Sequence, residues 1–266
     1  MYTLGNNSYG IEVGFRTFGK QDRGISPKGA NDQSAFITAL ALLGNPQSFR
    51  CFEIYYAQEI IFSQNVIFTL TGASYQKVLL NGQALTHATV YEAKKGDVLT
   101  LNQRAKGFRT YLTASNVNLQ RVGKKRKPYH FYFTQDHPYI RVTQGPEFDY
   151  LTEDFFQYAY KISSHSDMSG LRLEKKLRAK KFDIITAAVT DGTIQLTKDG
   201  PIVLMRHRQT TGGYPRVFNV IEADMDRLAQ YPHGSFVRFE LIPMEKSIEY
   251  FRDYEKVLRS IKEDLR

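Results

Sequence analysis

Apolar residues alternate with polar ones in short runs along most of this sequence, and glycine-containing turns separate the runs. Asn81-Gly82 stands between two apolar runs, which is the strongest short-range signal for a β-hairpin. Asp199-Gly200 predicts a second hairpin, and further short strands are predicted at 66–71, 94–103, 107–115 and 234–242. Many short strands with frequent turns are typical of barrels and sandwiches. We therefore predict a mainly β fold.

Helices are predicted in only three places. Residues 31–46 have Asp32 as a helix N-cap, and Gly44 and Pro46 as the signals that end the helix. A second, short helix is predicted at 223–231. The C-terminal helix runs from Met244 to Arg266 and is expected to dock on its own domain. Its apolar stripe consists of Phe251, Tyr254, Leu258, Ile261 and Leu265.

The totals restrict the class of protein. With 266 residues, of which 42% are hydrophobic, the chain can bury one large core or two of ordinary size. Its longest apolar stretch is about half of what a bilayer span needs, and its start does not resemble a secretory signal. The single cysteine, Cys51, can form no internal disulfide and belongs to no metal-ligand cluster, so we predict no metal site. These features predict a cytoplasmic protein without a membrane anchor.

The net charge of +9 comes largely from two basic stretches, at 123–130 and 174–183. Charge runs of this kind are most often solvated connectors. A small anionic substrate or an acidic partner surface would explain the charge equally well. No RNA-binding signature or DNA-recognition helix accompanies the basic residues, so we do not expect nucleic-acid binding.

The stretch 116–138 is basic and poor in apolar residues, which is typical of a linker. Two short matches across the chain, both at a spacing a little under 140 residues, suggest one topology used twice. We therefore predict an N-terminal domain at 1–122 and a C-terminal domain at 138–266.

The loop RHRQTTGGYPRVFNV, at 206–220, follows an apolar strand and is rich in hydrogen-bonding groups. Arg208 offers a planar fork that suits a carboxylate or a phosphate. Gln209 offers a donor and an acceptor, which suit an amide or ureido group, and the hydroxyls of Thr210 and Thr211 can orient either ligand. The loop is therefore a candidate binding site, with no residue in it that stands out as a nucleophile.

The same loop contains Gly212 and Gly213, which permit positive φ and let backbone N–H groups approach a ligand. Tyr214 is expected to form a wall of the pocket. His207 is an acid-base candidate on position alone. The alternative is a barrel corner whose polar groups satisfy one another.

Two other stretches are expected to line the same cavity. The loop 23–32 leads into a helix N-terminus, where Lys28 and the backbone near Gly29 favour an anion. Asp32 is more readily explained as a helix cap than as a catalytic carboxylate. The stretch 163–174 contributes Asp167 and Arg172; its adjacent Ser, His and Asp do not form a triad, and Asp167 is interpreted as a turn residue.

Several segments occur in the order that is seen in one known family. They are ISPKGANDQSAFITALALLGNP, TLTGA, SDMSGLRLE, GTIQL, GPIVLMRHRQTTGGYPRV and GSFVRFE, and together they span about residues 10 to 245. On these segments the chain resembles the biotin-dependent carboxyltransferase family, also called allophanate hydrolase subunit 2, which includes the C subunit of 5-oxoprolinase. The resemblance implies two cyclophilin-like β-barrel domains with a few short helices and a C-terminal helix.

The resemblance also implies a function. Family members work beside an allophanate hydrolase subunit 1-like partner, and in 5-oxoprolinase a third hydrolase subunit joins them for the ATP-dependent opening of 5-oxoproline to glutamate. We therefore expect a hydrolase subunit in which Arg208 anchors a carboxylate or phosphate while Gln209, Thr210 and Thr211 orient the amide. No Walker A pattern is present to hold ATP, and the sequence identifies no general base. It leaves open whether biotin is involved.

The sequence departs from the family pattern near its start. Gly14 and Thr17 stand where an Asp and an Arg are expected, Lys28 and Asn31 replace a small residue and a Met, and SDMSGLRL lacks another Arg. Two alternatives to a 5-oxoprolinase subunit therefore stay open. One is a non-catalytic regulatory protein, such as an antagonist of a kinase inhibitor. The other is a carboxyltransferase-type subunit that acts on a urea-like substrate.

Overall fold

The computed structural model describes residues 2–5, 8–44, 51–115, 137–181 and 184–263. The chain forms two compact units. The first unit consists of residues 1–15, 32–134 and 256–266, and the second of residues 16–31 and 135–255. Nearly all of the predicted linker, the basic stretch 123–130, Pro46 and Leu265 lie outside the described residues. The domain boundaries at 122 and 138 stay a prediction.

The first unit is built on one eight-stranded sheet, with strand order β1-β4-β8-β3-β2, in which β5 pairs with β6, β7 and β8. Its core is formed by apolar residues of these strands, among them Ile54, Phe68 and Leu112. The strands are β1 (Tyr2–Leu4), β2 (Tyr9–Val13), β3 (Cys51–Tyr56), β4 (Glu59–Phe62), β5 (Val66–Leu80), β6 (Gln83–Ala84), β7 (Tyr91–Ala93) and β8 (Val98–Ser115).

The predicted strands at 94–103 and 107–115 form one continuous strand, β8, so the prediction of two strands was wrong. Gln103 and Gly107 both have positive φ, at 42° and 85°, and the register between β5 and β8 shifts near Gly72 and Tyr75. Irregularities of this kind bend a strand without ending its pairing. The glycine that was interpreted as a strand boundary is therefore an internal bend.

The predicted hairpin at Asn81-Gly82 is confirmed. Leu80 pairs with Gln83 across the turn, and Asn81 and Gly82 have φ values of 50° and 86°. Two successive positive φ angles are what a type I′ turn requires, and they match the twist of the flanking strands.

The predicted first helix is confirmed as α1 (Gln33–Leu42). The side chain of Asp32 accepts a hydrogen bond from the backbone N–H of Ala35 at 2.9 Å, as an N-cap does. Gly44, at φ 64°, follows the end of the helix. Every residue of α1 is buried, so the helix is covered on all sides and not on one face alone.

The second unit contains a six-stranded sheet with strand order β11-β14-β13-β16-β9-β18, in which only the β18–β9 pairing is parallel. Two short pairs, β10 with β17 and β12 with β15, stand apart from it. The strands are β9 (Ile140–Gln144), β10 (Tyr160–Lys161), β11 (Gly170–Arg172), β12 (Ala187–Ala188), β13 (Thr193–Thr197), β14 (Gly200–Leu204), β15 (Thr211–Gly212), β16 (Arg216–Val220), β17 (Phe236–Val237) and β18 (Phe239–Leu241).

The hairpin predicted at Asp199-Gly200 is confirmed, because Thr197 of β13 pairs with Gly200 of β14. The strand predicted at 234–242 is instead two short strands, β17 and β18, which pair with different partners on either side of Arg238. The core of this unit includes the stacked rings of Phe155 and Tyr160, with centroids 4.7 Å apart.

The other two predicted helices are confirmed as α2 (Glu222–Ala229) and α3 (Met244–Glu263). Within the stripe predicted for α3, Tyr254, Leu258 and Ile261 are buried. Phe251 is 43% exposed, so it does not belong to the buried face. The hydroxyl of Tyr254 donates to Asp226 at 2.7 Å, which fixes this part of α3 to α2 within the second unit.

The described residues confirm the mainly β class, with two short α-helices and a longer C-terminal one. The strand pairings found among the described residues form open sheets, without the last pairing that would close a ring. No helix in the described part of the chain combines the length and the apolar character needed to cross a membrane.

Candidate binding site in the second unit

A cavity of about 410 Å³ lies in the second unit, beside the hairpin of β13 and β14. That volume falls within the range of small-molecule sites. Half of the twelve predicted site residues line the cavity: Asp167, Arg172, Gln209, Gly212, Gly213 and Tyr214. The structure thus brings the 206–220 loop and the 163–174 stretch together, as the sequence predicted.

The loop is held in place at both of its ends. In β15, Gly212 pairs with Ala187 of β12, and the backbone N–H of Val189 donates to the carbonyl of Thr210 at 3.0 Å. The backbone N–H of Leu196 donates to the carbonyl of Pro215 at 2.9 Å. These backbone contacts place the loop over β13, which forms the opposite wall of the cavity.

The first glycine of the loop is required by a close approach. A Cβ atom on Gly212 would lie 2.4 Å from Nε2 of Gln195, a buried residue that also lines the cavity. A Cβ on Gly213 would meet only Thr186 Oγ1, at 3.7 Å. Neither glycine has a positive φ, so the conformational reason expected from the sequence does not apply.

Two polar groups of the cavity are available to a ligand. The side-chain amide of Gln209 has no hydrogen-bond partner among the described residues, and the residue is exposed. The guanidinium of Arg172 likewise forms no ion pair within the described part of the chain. A cation and an amide that face one cavity can bind a small molecule that carries both a carboxylate and an amide.

Asp167 is a turn residue, as interpreted from the sequence. Its Oδ1 accepts hydrogen bonds from Ser169 N–H at 2.7 Å, from the Ser169 hydroxyl at 2.6 Å and from Gly170 N–H at 3.1 Å. Burial acts to raise the pKa of Asp167, but these hydrogen bonds and the charge of Arg172 outweigh it, so the pKa is lowered. Asp167 is therefore a carboxylate near neutral pH, which shapes the turn that carries Arg172.

Arg208 points to a different partner from the one expected. It is 6% exposed, and its Nε donates to Oδ1 of Asp191 at 2.8 Å. One of its terminal nitrogens donates to the backbone carbonyl of Gln209 at 2.8 Å. Arg208 does not line the cavity, and its contacts hold the base of the loop.

Arg206 anchors the start of the loop from a fully buried position. Its guanidinium lies 2.9 Å from Glu222, 3.2 Å from Asp226 and 3.5 Å from Asp191. Burial opposes its charge, but the surrounding acidic groups prevail, and the pKa of Arg206 is raised well above its usual value. Sequence patterns do not reveal this cluster, because its members come from two separate turns and the helix α2.

The segment 16–31 packs against the same cluster within the second unit. Arg16 forms an ion pair with Asp191 and lies 3.5 Å from Glu222. Burial, and then the charge of Arg206, lower the pKa of Arg16. The backbone carbonyl of Asn31 accepts a hydrogen bond from Nε of Arg206 at 3.1 Å. This segment therefore has a structural attachment to the loop.

The other predicted site residues lie outside the lining of the cavity. Lys28 is exposed, with a φ of 49°, and the carbonyl of Gly29 lies 2.8 Å from Nε2 of His207. Asp32 caps α1 in the first unit. Thr210 and Thr211 contribute backbone contacts where the loop pairs with β12 and with Val189.

Eight lining residues were not predicted as site residues: Ser169, Gly170, Gln195, Thr197, Lys198, Asp199, Ile202 and Leu204. Six of these belong to β13, to the turn that follows it and to β14. The Asp199-Gly200 turn was predicted as a hairpin, and its second strand, β14, leads directly into the 206–220 loop. This adjacency in the sequence was the available signal that the turn lies beside the site. Lys198 adds a second cation to the cavity, whereas Asp199 is 95% exposed at its side chain.

Comparison with known proteins gives one consistent family. Residues 23–123 and 116–241 match the family described as the carboxyltransferase domain, subdomain A and B. The chain is similar to the C subunit of 5-oxoprolinase from Escherichia coli K12, with 29% identity over 91% of both chains. It is also similar to the C subunit of 5-oxoprolinase from Haemophilus influenzae, with 26% identity over 92% of both chains.

A solved structure shares the fold. The chain superimposes on the urea amidolyase of K. lactis with a TM-score of 0.78 and 19% sequence identity. The match covers 98% of this chain but only 20% of that one, so the chain corresponds to about a fifth of the larger enzyme.

Proposed function

Since the chain belongs to the carboxyltransferase domain family, subdomain A and B, we propose that it is a subunit of a 5-oxoprolinase-type hydrolase complex. Its similarity to the C subunit of 5-oxoprolinase along almost the whole of both chains supports this role. In the proposed reaction, water adds to the carbonyl carbon of a lactam, the C–N bond breaks, and a carboxylate and an amine result.

The observation that carries the proposal is the cavity that both Gln209 and Arg172 line. A lactam acid such as 5-oxoproline carries one carboxylate and one secondary amide. Arg172 would bind the carboxylate through charge-assisted hydrogen bonds. The amide of Gln209 would accept from the lactam N–H and donate to its carbonyl oxygen.

Arg172 takes the role that the sequence suggested for Arg208. The guanidinium of Arg208 is committed to Asp191, and breaking that buried pair to reach a ligand would remove a counter-charge from a buried carboxylate. Arg172 is exposed and needs no such rearrangement. In this proposal Arg208 and Asp191 support the loop, while Arg172 and Gln209 contact the substrate.

A donor aimed at the lactam oxygen also has a chemical role. When water attacks the carbonyl carbon, negative charge develops on that oxygen, and a preorganised donor stabilises it. We propose that Gln209 supplies this donor. We propose the partners on the family resemblance: an allophanate hydrolase subunit 1-like protein and a third hydrolase subunit.

The cavity does not fit ATP. Its lining cations are Arg172 and Lys198, and its lining carboxylates are Asp167 and Asp199, so the formal charges cancel. A triphosphate requires a strongly cationic cradle, whereas a monoanion needs only the guanidinium. We therefore derive no step through ATP on these residues and propose that the ATP used by the complex is bound elsewhere. We propose no role for biotin in this cavity.

The test is the release of glutamate from 5-oxoproline and ATP in a complex reconstituted with the cognate partner subunits. We expect no turnover when this chain is omitted. Gln209→Ala should lower kcat, and Arg172→Met should raise KM, by about tenfold each, which corresponds to the loss of one good hydrogen bond.

Arg238→Met is the matched control, because Arg238 is an exposed arginine of the same unit that lines neither the cavity nor the loop. It should leave turnover unchanged. A stable complex that releases no glutamate, or full activity in both Gln209→Ala and Arg172→Met, would contradict the proposal.

A further inference from the structure

A second cavity, of about 510 Å³, lies next to the first in the same unit. The two cavities share Arg172, Thr197, Asp199 and Ile202 in their walls. The remainder of the second cavity is formed mainly by Ser163 and His165, before β11, and by the chain that follows β11. Arg172 therefore lines both cavities.

Backbone and hydroxyl contacts fix the residues of this cavity. Ser163 N–H donates to the carbonyl of Arg172 at 2.9 Å, and Arg172 N–H donates to the hydroxyl of Ser166 at 2.9 Å. The turn that carries His165 is thus joined to β11 on both sides. Within the turn, the Ser163 hydroxyl lies 3.4 Å from Nδ1 of His165. Ser163 and His165 are consequently held beside Arg172.

The lining of the second cavity contains one cation, Arg172, and two carboxylates, Glu174 and Asp199, each of which has a lysine partner outside the lining. Glu174 is paired with Lys161 at 3.1 Å. The hydrogen bond from Lys161 is the main cause of the lowered pKa of Glu174. Asp199 lies 3.9 Å from Lys176 and is 95% exposed at its side chain, so water screens its charge. Arg172 forms no ion pair with any of the described residues, although its charge contributes to the lowered pKa of Asp167.

We propose that this second cavity is a subsite for a small oxyanion, either a carboxylate or a phosphoryl group. Arg172 supplies the charge, and the His165 ring supplies a further hydrogen bond. Leu173, Pro201 and Ile202 form an apolar wall for the rest of the ligand. The subsite can be tested whether or not lactam hydrolysis takes place, although both proposals use Arg172.

The shared arginine makes the two cavities interdependent. An oxyanion that engages Arg172 from the second cavity withdraws donors from a carboxylate in the first. By thermodynamic linkage, each ligand then weakens the other by the same factor. We therefore expect an oxyanion bound in the second cavity to weaken the binding of a carboxylate in the first.

The test uses the full chain labelled with ¹³C at histidine, and follows the ring signals by NMR at constant pH and ionic strength. The probes are inorganic phosphate and acetate, and the variant His165→Gln identifies the signal of His165. We expect a saturable displacement of that signal by at least one probe, with a dissociation constant on the order of 1 mM. Saturation by phosphate alone supports a phosphoryl ligand, and saturation by acetate alone supports a carboxylate ligand.

Three controls separate the subsite from a surface effect. Arg172→Met should weaken the affinity by about tenfold, and Arg238→Met should not. The His207 ring, which contacts the carbonyl of Gly29, should not shift. Gln209→Ala should leave the ligand-induced displacement of the His165 signal unchanged, which distinguishes this subsite from the lactam site. A signal that drifts without saturating, or an equal affinity in Arg172→Met, would overturn the proposal.

Discussion

Gly212 and Gln195 approach so closely that residue 212 has no room for a side chain. An added Cβ would lie 2.4 Å from Nε2 of Gln195 and 3.2 Å from its Cδ. Gln195 is 3% exposed and contacts the carbonyl of Tyr214 at 3.4 Å, so it cannot move aside without disturbing the loop. The glycine pair of the loop is thus asymmetric: the first is required by contact, and the second has open space around it.

We predict that Gly212→Ala lowers the free energy of unfolding by about 1–3 kcal/mol, the usual cost of overpacking. Gly213→Ala is the matched control, since its Cβ would meet nothing nearer than 3.7 Å. Denaturant unfolding of the two variants checks the prediction. Equal losses of unfolding free energy in the two variants would show that backbone freedom, and not the contact with Gln195, explains the glycine at position 212.

Substitution of Asp191 is predicted to destabilise the second unit more than substitution of an exposed acidic residue. It pairs with Arg208 at 2.8 Å and with Arg16, and its side chain is 5% exposed. Asp191→Asn leaves buried guanidinium groups without their counter-charge, which should destabilise the unit by about 3–5 kcal/mol. The same substitution at the exposed Asp199 should cost little. Denaturant midpoints measure both, and similar midpoints for the two variants would refute the role of the cluster.

The turn at Asp167 should give a pH-dependent contribution to stability. Its pKa is lower in the folded chain than in the unfolded one, so the contribution is present above the unfolded value, about 3.9, and is lost as the pH falls through the lower folded value. Asp167→Asn should therefore lower the melting temperature at pH 7 more than at about pH 3. A difference that does not change with pH would mean that the hydrogen bonds to Ser169 and Gly170 do not depend on the charge.

Cys51 is predicted to resist alkylation in the folded protein. It is fully buried in β3, and burial raises the pKa of its thiol to about 12. Since the thiolate is the reactive form, iodoacetamide at pH 8 should modify Cys51 only when the first unit opens. The rate should rise steeply at denaturant concentrations near the unfolding midpoint. Rapid modification under native conditions would contradict the burial of this strand.

Local signals explain what could be predicted from the sequence. Asn81-Gly82 and Asp199-Gly200 determine their own turns, and Asp32 caps the helix that follows it, because all of these depend on neighbouring residues. The length of β8 could not be predicted in the same way. Gly107 marks a boundary or a bend depending on whether a partner strand continues alongside, and β5 does.

The candidate site could likewise be predicted only where neighbouring residues in the sequence marked it. Gln209 and Tyr214 were found because they belong to one conspicuous loop, and they do line the cavity. Arg208 was assigned to a ligand because a guanidinium suits anions in general. Its actual partner, Asp191, is 17 residues away in the sequence and is brought to it only by the tertiary fold. Residue type alone does not tell a ligand-binding arginine from a structural one.

The attachment of Arg16 to Asp191 also affects the order in which the chain can fold. The two residues are 175 positions apart, as are Asn31 and Arg206. During synthesis, residues 16–31 emerge long before Asp191, Arg206 and the helix α2, which hold them. They must therefore wait without their buried partners until most of the chain has been made, which exposes this segment to proteases and chaperones. Contacts at such separation also slow folding, because a long loop must close before they form.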